Sequence, residues 1–269
     1  MITDWDDAYA NRAHVPDASS IIDRWAPDAA AFREDLGERA ELDVAYADGP
    51  RCLYDLFWPD GEAKGLAVFL HGGYWLLFDK SYWSHFAAGP LAHGWAVAVP
   101  SYPVAPRAWF PDITASAARA VEHAAARVPG PIRLAGHSAG GHLVARLMTT
   151  DGPLRENVLA HLERVIPISG LFDLRPMLRL TMNEDWQLDL PTALAESPAM
   201  QMPAPGVTVK AWVGGAERPE FLRQTALLVN AWTGCGADIE EVQAPGLHHF
   251  DVIDGLKSAE HPLTRSLVE

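Results

Sequence analysis

The sequence predicts an α/β fold, a mostly parallel central sheet with helices on both faces. Three observations carry this reading. Short apolar runs of strand length, rich in Val, Ile and Ala, recur along the chain, and stretches of helical period alternate with them. The runs are also apolar at consecutive positions, as strands covered on both faces must be. The 269 residues allow one or two domains. No repeat, low-complexity tract or linker divides them, so a single domain over 1–269 is expected.

Residues 1–40 read as a helical lead. Within it Ile21, Ile22, Trp25, Ala29 and Phe32 recur at spacings of three and four, which predicts an amphipathic helix over 17–32, broken near Pro27. Strands 42–46 and 52–58 follow. Ala47-Asp48-Gly49-Pro50 joins them, and its Asp-Gly pair suits a hairpin turn, so the sheet starts antiparallel. Next come strand 66–70, helix 82–93, strand 95–100, helix 113–127, strand 132–135, helix 140–150 and strand 165–169. Residues 171–205 break the rhythm: Pro176, Pro191, Pro198, Pro203 and Pro205 stand among Met177, Leu180, Met182, Trp186 and Leu188. This predicts an irregular, cap-like insertion above the sheet edge. Strand 207–213, helix 219–231, strand 238–243 and helix 250–257 complete the alternation.

With 35 acidic and 21 basic residues the net charge is −14, a surface that repels phosphate backbones and anionic headgroups. Nucleic acid and membrane are therefore not expected as partners. Cys52 and Cys235 form neither a disulfide framework nor a zinc-ligand spacing, which suits a reducing compartment. The N-terminal Met-Ile-Thr-Asp-Trp-Asp-Asp lacks the positive and apolar regions of a signal peptide, and no apolar stretch approaches the ~18 residues of a membrane span. A cytoplasmic protein is expected; oligomeric state is not legible in one chain.

The sharpest motif is Gly136-His137-Ser138-Ala139-Gly140, between a strand and a helix. In that context G-x-S-x-G is a nucleophile elbow, in which the turn strains Ser138 and aims its hydroxyl away from the sheet while the glycines let neighbouring backbone pass. His71-Gly72-Gly73-Tyr74-Trp75 follows the third strand. Acyl transfer needs an oxyanion site, and a glycine-rich turn here supplies backbone N–H groups, so Gly72, Gly73 and Ala139 are the expected donors. His71 precedes the nucleophile in the chain and sits inside this turn, which suits an orienting or packing residue better than a general base.

A nucleophilic serine needs a base, and the order in α/β-hydrolases is Ser, then Asp or Glu, then His. Strand 207–213 runs into Gly214-Gly215-Ala216-Glu217-Arg218-Pro219-Glu220, so the acid is Glu217 or Glu220. Pro219 opens the following helix and makes Glu220 an ordinary first-turn acid, which favours Glu217. Gly246-Leu247-His248-His249-Phe250 offers either histidine as the base.

The chain resembles the kynurenine formamidase (arylformamidase) group of α/β-hydrolases, relatives of the hormone-sensitive-lipase-like esterases. The resemblance rests on Trp5-Asp6-Asp7-Ala8-Tyr9-Ala10-Asn11-Arg12, on His71-Gly72-Gly73-Tyr74-Trp75, and on Tyr102 with Ala105-Pro106. It extends through residues 136–141, Ser197-Pro198, Pro219-Glu220-Phe221 with Arg223-Gln224, and His249-Phe250. It implies that His249, immediately before a phenylalanine, is the base. It also implies that the acid four positions after the valine ending the seventh strand is Glu217, where eukaryotic members usually carry aspartate. Tyr74-Trp75 after the Gly-Gly pair resembles the formamidase branch, whereas many lipase-like relatives have a third glycine.

Aromatic residues gather in the loops after the third and fourth strands and in the insertion, at the carboxyl end of the sheet where such folds bind ligands. Tyr74, Trp75, Phe78, Tyr82, Trp83, Trp109, Phe110, Met182 and Trp186 could line a pocket there, and of these Tyr74, Trp75 and Trp186 are the expected substrate-pocket residues, suited to a small aromatic amide or ester. Neither H-E-x-x-H nor the H-x-G-T-H-x-D pattern of metal-dependent formamidases occurs, and no Rossmann glycine motif follows the first strand. No metal and no cofactor are expected. A non-catalytic binding protein on this scaffold would typically lack a triad member, yet serine, acid and histidine all stand in order. The expectation is a serine hydrolase acting through Ser138, His249 and Glu217, with N-formyl-kynurenine as the favoured substrate and short-chain carboxylesters as the alternative.

Overall fold

The computed structural model describes residues 2–269. Its strands are β1 (Ala40–Ala45), β2 (Leu53–Phe57), β3 (Leu66–Leu70), β4 (Ala96–Pro100), β5 (Ile132–His137), β6 (Leu162–Ile168), β7 (Thr208–Gly214) and β8 (Asp238–Ala244). They form one sheet in the order β1-β2-β4-β3-β5-β6-β7-β8. The pairs β1/β2 and β2/β4 are antiparallel and every other pair is parallel, as the hairpin and the later alternation predict. Every residue of β3, β4 and β5 is buried, which is why these strands read as unbroken apolar runs.

The helices are α1 (Trp5–Tyr9), α2 (Ala18–Leu36), α3 (Ala88–Ala92), α4 (Phe110–Ala125), α5 (Ala139–Leu147), α6 (Glu156–Leu159), α7 (Asn183–Trp186), α8 (Leu190–Ala195), α9 (Pro219–Gly234) and α10 (Pro262–Val268). Ile113, Leu143, Val144, Phe221 and Leu228 bring α4, α5 and α9 into the core on one face of the sheet. Trp25, Leu91, Leu263 and Leu267 bring α2, α3 and α10 into a second core on the other. Among the described residues no helix is long and apolar enough to cross a membrane.

Several elements depart from expectation for local reasons. Pro27 does not break α2, which continues to Leu36. Pro27 and Asp23, whose carbonyl loses its usual partner, both lie on the exposed face, where water can serve that carbonyl. The helix expected over 82–93 is two 3₁₀ turns, Lys80–Tyr82 and Ser84–Ala87, followed by the short α3. Pro90 has no N–H to give, and Gly89 is pressed so close to Leu256 that a Cβ would stand 2.6 Å from its carbonyl oxygen. The helix expected over 250–257 is a 3₁₀ turn, Val252–Lys257, burying Ile253 and Leu256 three residues apart. The insertion over 171–205 contains only α7, α8 and 3₁₀ turns, and it sends Phe172, Met177 and Trp186 into the core.

Candidate active site

β5 delivers Gly136 and His137 to the carboxyl end of the sheet, and the chain reverses sharply at Ser138 to enter α5. Ser138 holds φ +55° and ψ −114°, a strained conformation for a residue with a side chain. The turn demands glycine on either side. A Cβ on Gly140 would lie 1.9 Å from the Leu70 carbonyl oxygen, and one on Gly136 would lie 2.2 Å from that of Gly140. Ser138 N–H donates to Ile168 O at 2.8 Å, which ties the elbow to β6. The side chain is left free: among the described residues nothing hydrogen-bonds the Ser138 hydroxyl.

The turn after β3 presses on this elbow. A Cβ on Gly72 would stand 3.1 Å from Ser138 Cβ, so only glycine lets the two approach without strain. Gly73 holds φ +116°, a region that excludes other residues. Among the described residues the N–H groups of Gly72 and Gly73 donate to no acceptor, and Ala139 N–H, at the first position of α5, has no partner within its helix. His71 anchors the turn. Its carbonyl accepts from Tyr102 O–H at 2.7 Å, its Nδ1–H donates to Gly72 O at 2.7 Å, and its ring stacks on Tyr102 with centroids 4.4 Å apart. Burial pushes the His71 pKa down to about 4, so the ring is neutral at pH 7.

The loop after β7 brings Glu217 under His249. His249 Nδ1–H donates to Glu217 Oε2 at 2.7 Å, which leaves Nε2 of a neutral ring as an acceptor. Glu217 Oε1 accepts from Gly214 N–H at 2.9 Å and from the Ser169 hydroxyl, and the side chain is wholly buried. The carboxylate is thus fixed from three directions. Glu220 lies elsewhere: it accepts from Tyr9 O–H at 2.8 Å and forms a two-pronged pair with Arg223, tying α1 to α9. His248 caps its own turn, with Nδ1 accepting from the N–H groups of Phe250 and Asp251. Ser169 escaped the sequence reading; a polar residue ending a buried strand before Gly170 was its only signal.

Ser138 and His249 line one cavity of about 100 Å³, though no hydrogen bond joins them in this structure. Catalytic hydrogen bonds are often open before substrate binds. Tyr74, Leu77 and Phe78, which follow the Gly72-Gly73 pair after β3, form one wall, and Trp83 and Phe250 another. Tyr74 is pinned: its O–H donates to Tyr9 O at 2.6 Å, and burial raises its pKa to about 12, so it stays protonated. Trp75 and Trp186, expected in the pocket, stand behind this wall instead. Both are almost wholly buried, packed edge to face at 5.8 Å, and Trp186 Nε1–H donates to Tyr74 O at 2.8 Å. They buttress Tyr74 and do not line the cavity. The N-terminal lead, in contrast, reaches the site: Asn11, Arg12, Ile22 and Trp25 close the remaining side. Trp25 rests on Trp83 and Phe250, with centroids 4.6 and 6.2 Å away. The only sequence signal for this was the Asn11-Arg12 end of the resembling segment. Among the described residues no group of three or more His, Cys, Asp or Glu is placed to hold a metal ion.

A strand, a strained serine turn and a helix, with a buried His-carboxylate pair beside them, define a hydrolase of the α/β class. A family model described as the alpha/beta hydrolase fold matches residues 67–251, and the chain belongs to that family. It is a hydrolytic enzyme. A kynurenine formamidase from Salmo salar is 28% identical over 242 residues, which are 85% of this chain and 81% of that protein. One from Danio rerio is 27% identical over 85% of this chain and 80% of its own. A Silicibacter protein whose description proposes a thioesterase superposes with TM-score 0.95 and 48% identity, covering 99% of both chains. An esterase from Pyrobaculum calidifontis shares the fold, with TM-score 0.71 and 18% identity over 92% of this chain and 90% of that one.

Proposed function

We propose that the chain is a serine hydrolase that removes a small acyl group from an aromatic amide or ester, with N-formyl-kynurenine the leading substrate. The observation that carries this reading is the Glu217–His249 pair facing the same small, aromatic-walled cavity as the strained Ser138. A cavity of about 100 Å³ is smaller than the ~150 Å³ that accepts a benzene ring, so it suits a short acyl group, with the leaving group directed toward the mouth. Likeness to the two fish formamidases over most of the chain supports the formyl amide in particular.

In this mechanism Ser138 Oγ attacks the formyl carbon while His249 Nε2 takes its proton. Glu217 keeps the imidazole in the required tautomer and stabilises the imidazolium. The N–H groups of Gly72, Gly73 and Ala139 hold the oxyanion. The imidazolium returns the proton to the arylamine as the C–N bond breaks, leaving a formyl ester on Ser138. Water, activated by His249, then releases formate and restores the serine.

A second reading is a short-acyl thioesterase or carboxylesterase, favoured by the 48% identity to the Silicibacter protein. The same groups would act, and only the leaving atom changes. Parallel kinetics on N-formyl-kynurenine, p-nitrophenyl acetate and acetyl coenzyme A test the choice. The formamidase reading requires the highest kcat/KM on the formamide, and it fails if only the ester or thioester turns over. Ser138→Ala should lower kcat by ~10⁴–10⁶ on every substrate and abolish labelling by an organophosphate.

A further inference from the structure

The cavity at Ser138 contains one cation and no carboxylate. Arg12 is the only Lys or Arg among its lining residues, and no Asp or Glu belongs to the lining. Nor has Arg12 an acidic partner elsewhere, since no carboxylate oxygen lies within 4.0 Å of its guanidinium among the described ion pairs. It is instead held by a neutral group: Nε–H and one Nη–H both donate to Ser19 Oγ, at 3.3 and 3.0 Å. Two of five N–H donors are engaged there, and three remain free at the mouth. Unlike Arg12, the neighbouring Arg218 is neutralised by Asp7, at 2.7 Å.

In a chain of net charge −14, an unneutralised guanidinium beside an apolar cavity is a local reversal of sign. Position adds to this. Arg12 lies in the 3₁₀ turn Asn11–His14 before α2, whose Ile22 and Trp25 also line the cavity, so it stands on the side closed by the N-terminal lead. A planar fork with free donors suits a carboxylate, which it can grip with two parallel hydrogen bonds.

We infer that Arg12 is a specificity-determining residue that binds a carboxylate on the leaving-group side of the substrate, so the enzyme prefers aryl substrates bearing that carboxylate to otherwise similar ones without it. This deepens the reading of the site as an aryl acyl hydrolase and rests on it. The acyl end is read by the small cavity beside Ser138, and the far end by charge. Asn11, a buried residue next to Arg12 in the lining whose Nδ2 also approaches the Tyr74 hydroxyl at 3.4 Å, adds a second polar group on that side.

Two matched pairs of substrates test the inference. N-formyl-kynurenine is compared with 2-formamidoacetophenone, which keeps the aryl formamide and loses the amino-acid tail. 3-(4-Acetoxyphenyl)propionate is compared with 4-ethylphenyl acetate, which keeps the aryl ester and loses the carboxylate. The readout is the ratio of kcat/KM for the acid over its neutral partner. Wild type should favour the acid at least tenfold, Arg12→Met should remove that preference mainly through KM, and Arg12→Lys should restore part of it. Arg24→Met, which removes an exposed cation from α2 outside the cavity, should leave the ratio as in wild type. A ratio that is near one in wild type, or unaltered in Arg12→Met, for whichever pair is cleaved, overturns the role of Arg12. Turnover of the esters with both formamides untouched removes the formamidase reading instead, and the ester pair still decides Arg12.

Discussion

His137 Nε2 lies 2.8 Å from the backbone carbonyl oxygen of His249, joining the residue before the strained serine to the histidine opposite it across 112 positions of chain. A carbonyl only accepts, so Nε2 carries the hydrogen. Burial, reinforced by nearby His249, holds the His137 pKa well below the usual histidine range, so the other nitrogen is a bare lone pair with no partner. The two rings also pack with centroids 4.6 Å apart. The second position of G-x-S-x-G, which the motif leaves open, therefore ties down the loop that carries His249.

His137→Phe keeps an aromatic ring and deletes the donor. Because displacement of a catalytic group by about 1 Å can cost ~100-fold, kcat should fall about 10- to 100-fold with KM nearly unchanged. His137→Gln, which restores an N–H donor, should recover part of the loss. Steady-state kinetics on any turned-over substrate checks this, and a wild-type kcat in His137→Phe would deny the residue a positioning role.

Glu217 and Glu220 stand three residues apart and do different work. Glu217→Gln would present an amide N–H₂ or a weaker acceptor to His249 Nδ1, disturbing the tautomer, and kcat should fall by ~10³–10⁴ with the fold intact. Glu220→Gln breaks the charged pair with Arg223 beside Tyr9 and should cost about 1–3 kcal/mol of stability, seen as a lower Tm, while kcat stays within a few-fold of wild type. Reversed effects would move the catalytic acid to Glu220.

Much of this division was legible in the sequence, because Pro219 at the first turn of a helix already separates a loop acid from a helix acid. The elbow and the Gly-Gly turn were legible for a similar reason: each needs glycine where backbones meet, and glycine leaves a local mark. The cavity walls were legible only in part: Tyr74, Phe78 and Trp83, aromatics following the third strand, do line the cavity. Trp75 follows the Gly-Gly turn closely, yet at a φ of +56° its ring lies behind Tyr74 in the core. Ile22 and Trp25 reach the site because α2 packs so that Trp25 rests on Trp83 and Phe250, contacts with no local trace in either segment. The same holds for Ser169, whose bond to Glu217 spans 48 positions.

Acid should destabilise the fold before the carboxylates titrate. Burial pushes His71, His85 and His142 down to about 4 from an unfolded value near 6.5, so in that interval the unfolded chain binds more protons than the folded one. Stability therefore falls as pH drops from about 6.5 to 4, by up to ~1.4 kcal/mol per pH unit for each histidine, and these groups contribute nothing above that range. His85 isolates the effect, since both of its ring nitrogens are buried without partners, and Lys257 and Arg33 disfavour its protonation while Asp28 favours it. His85→Phe should hold or raise Tm at pH 7.5 and flatten its decline toward pH 4.5, as read by thermal melts across that range. An unaltered slope would assign acid sensitivity to other groups.

On the proposed reaction, the wall formed by Tyr74 should set the length of acyl chain the site accepts. Its ring cannot swing aside cheaply, because the hydroxyl donates to Tyr9 O, the backbone carbonyl accepts from Trp186, and Asn11 Nδ2 approaches the hydroxyl at 3.4 Å. The cavity of about 100 Å³ beside Ser138 suits formyl and acetyl groups, and longer acyl chains should increasingly press on the held ring. Each poorly accommodated group should cost ~1–3 kcal/mol of transition-state binding, or 10- to 200-fold in kcat/KM. A series of p-nitrophenyl esters from acetyl to octanoyl measures the decline. Tyr74→Ala should flatten it by admitting longer chains, and Tyr74→Phe, which keeps the ring but frees it from Tyr9, should flatten it less. Trp75→Ala provides the contrast. Lying in the core behind the wall, Trp75 should lose about 3–5 kcal/mol of stability through the cavity it leaves, with the order of acyl preference preserved in the folded fraction. Rapid octanoyl hydrolysis by the wild type would show that the wall yields, and the acyl limit would then lie outside Tyr74.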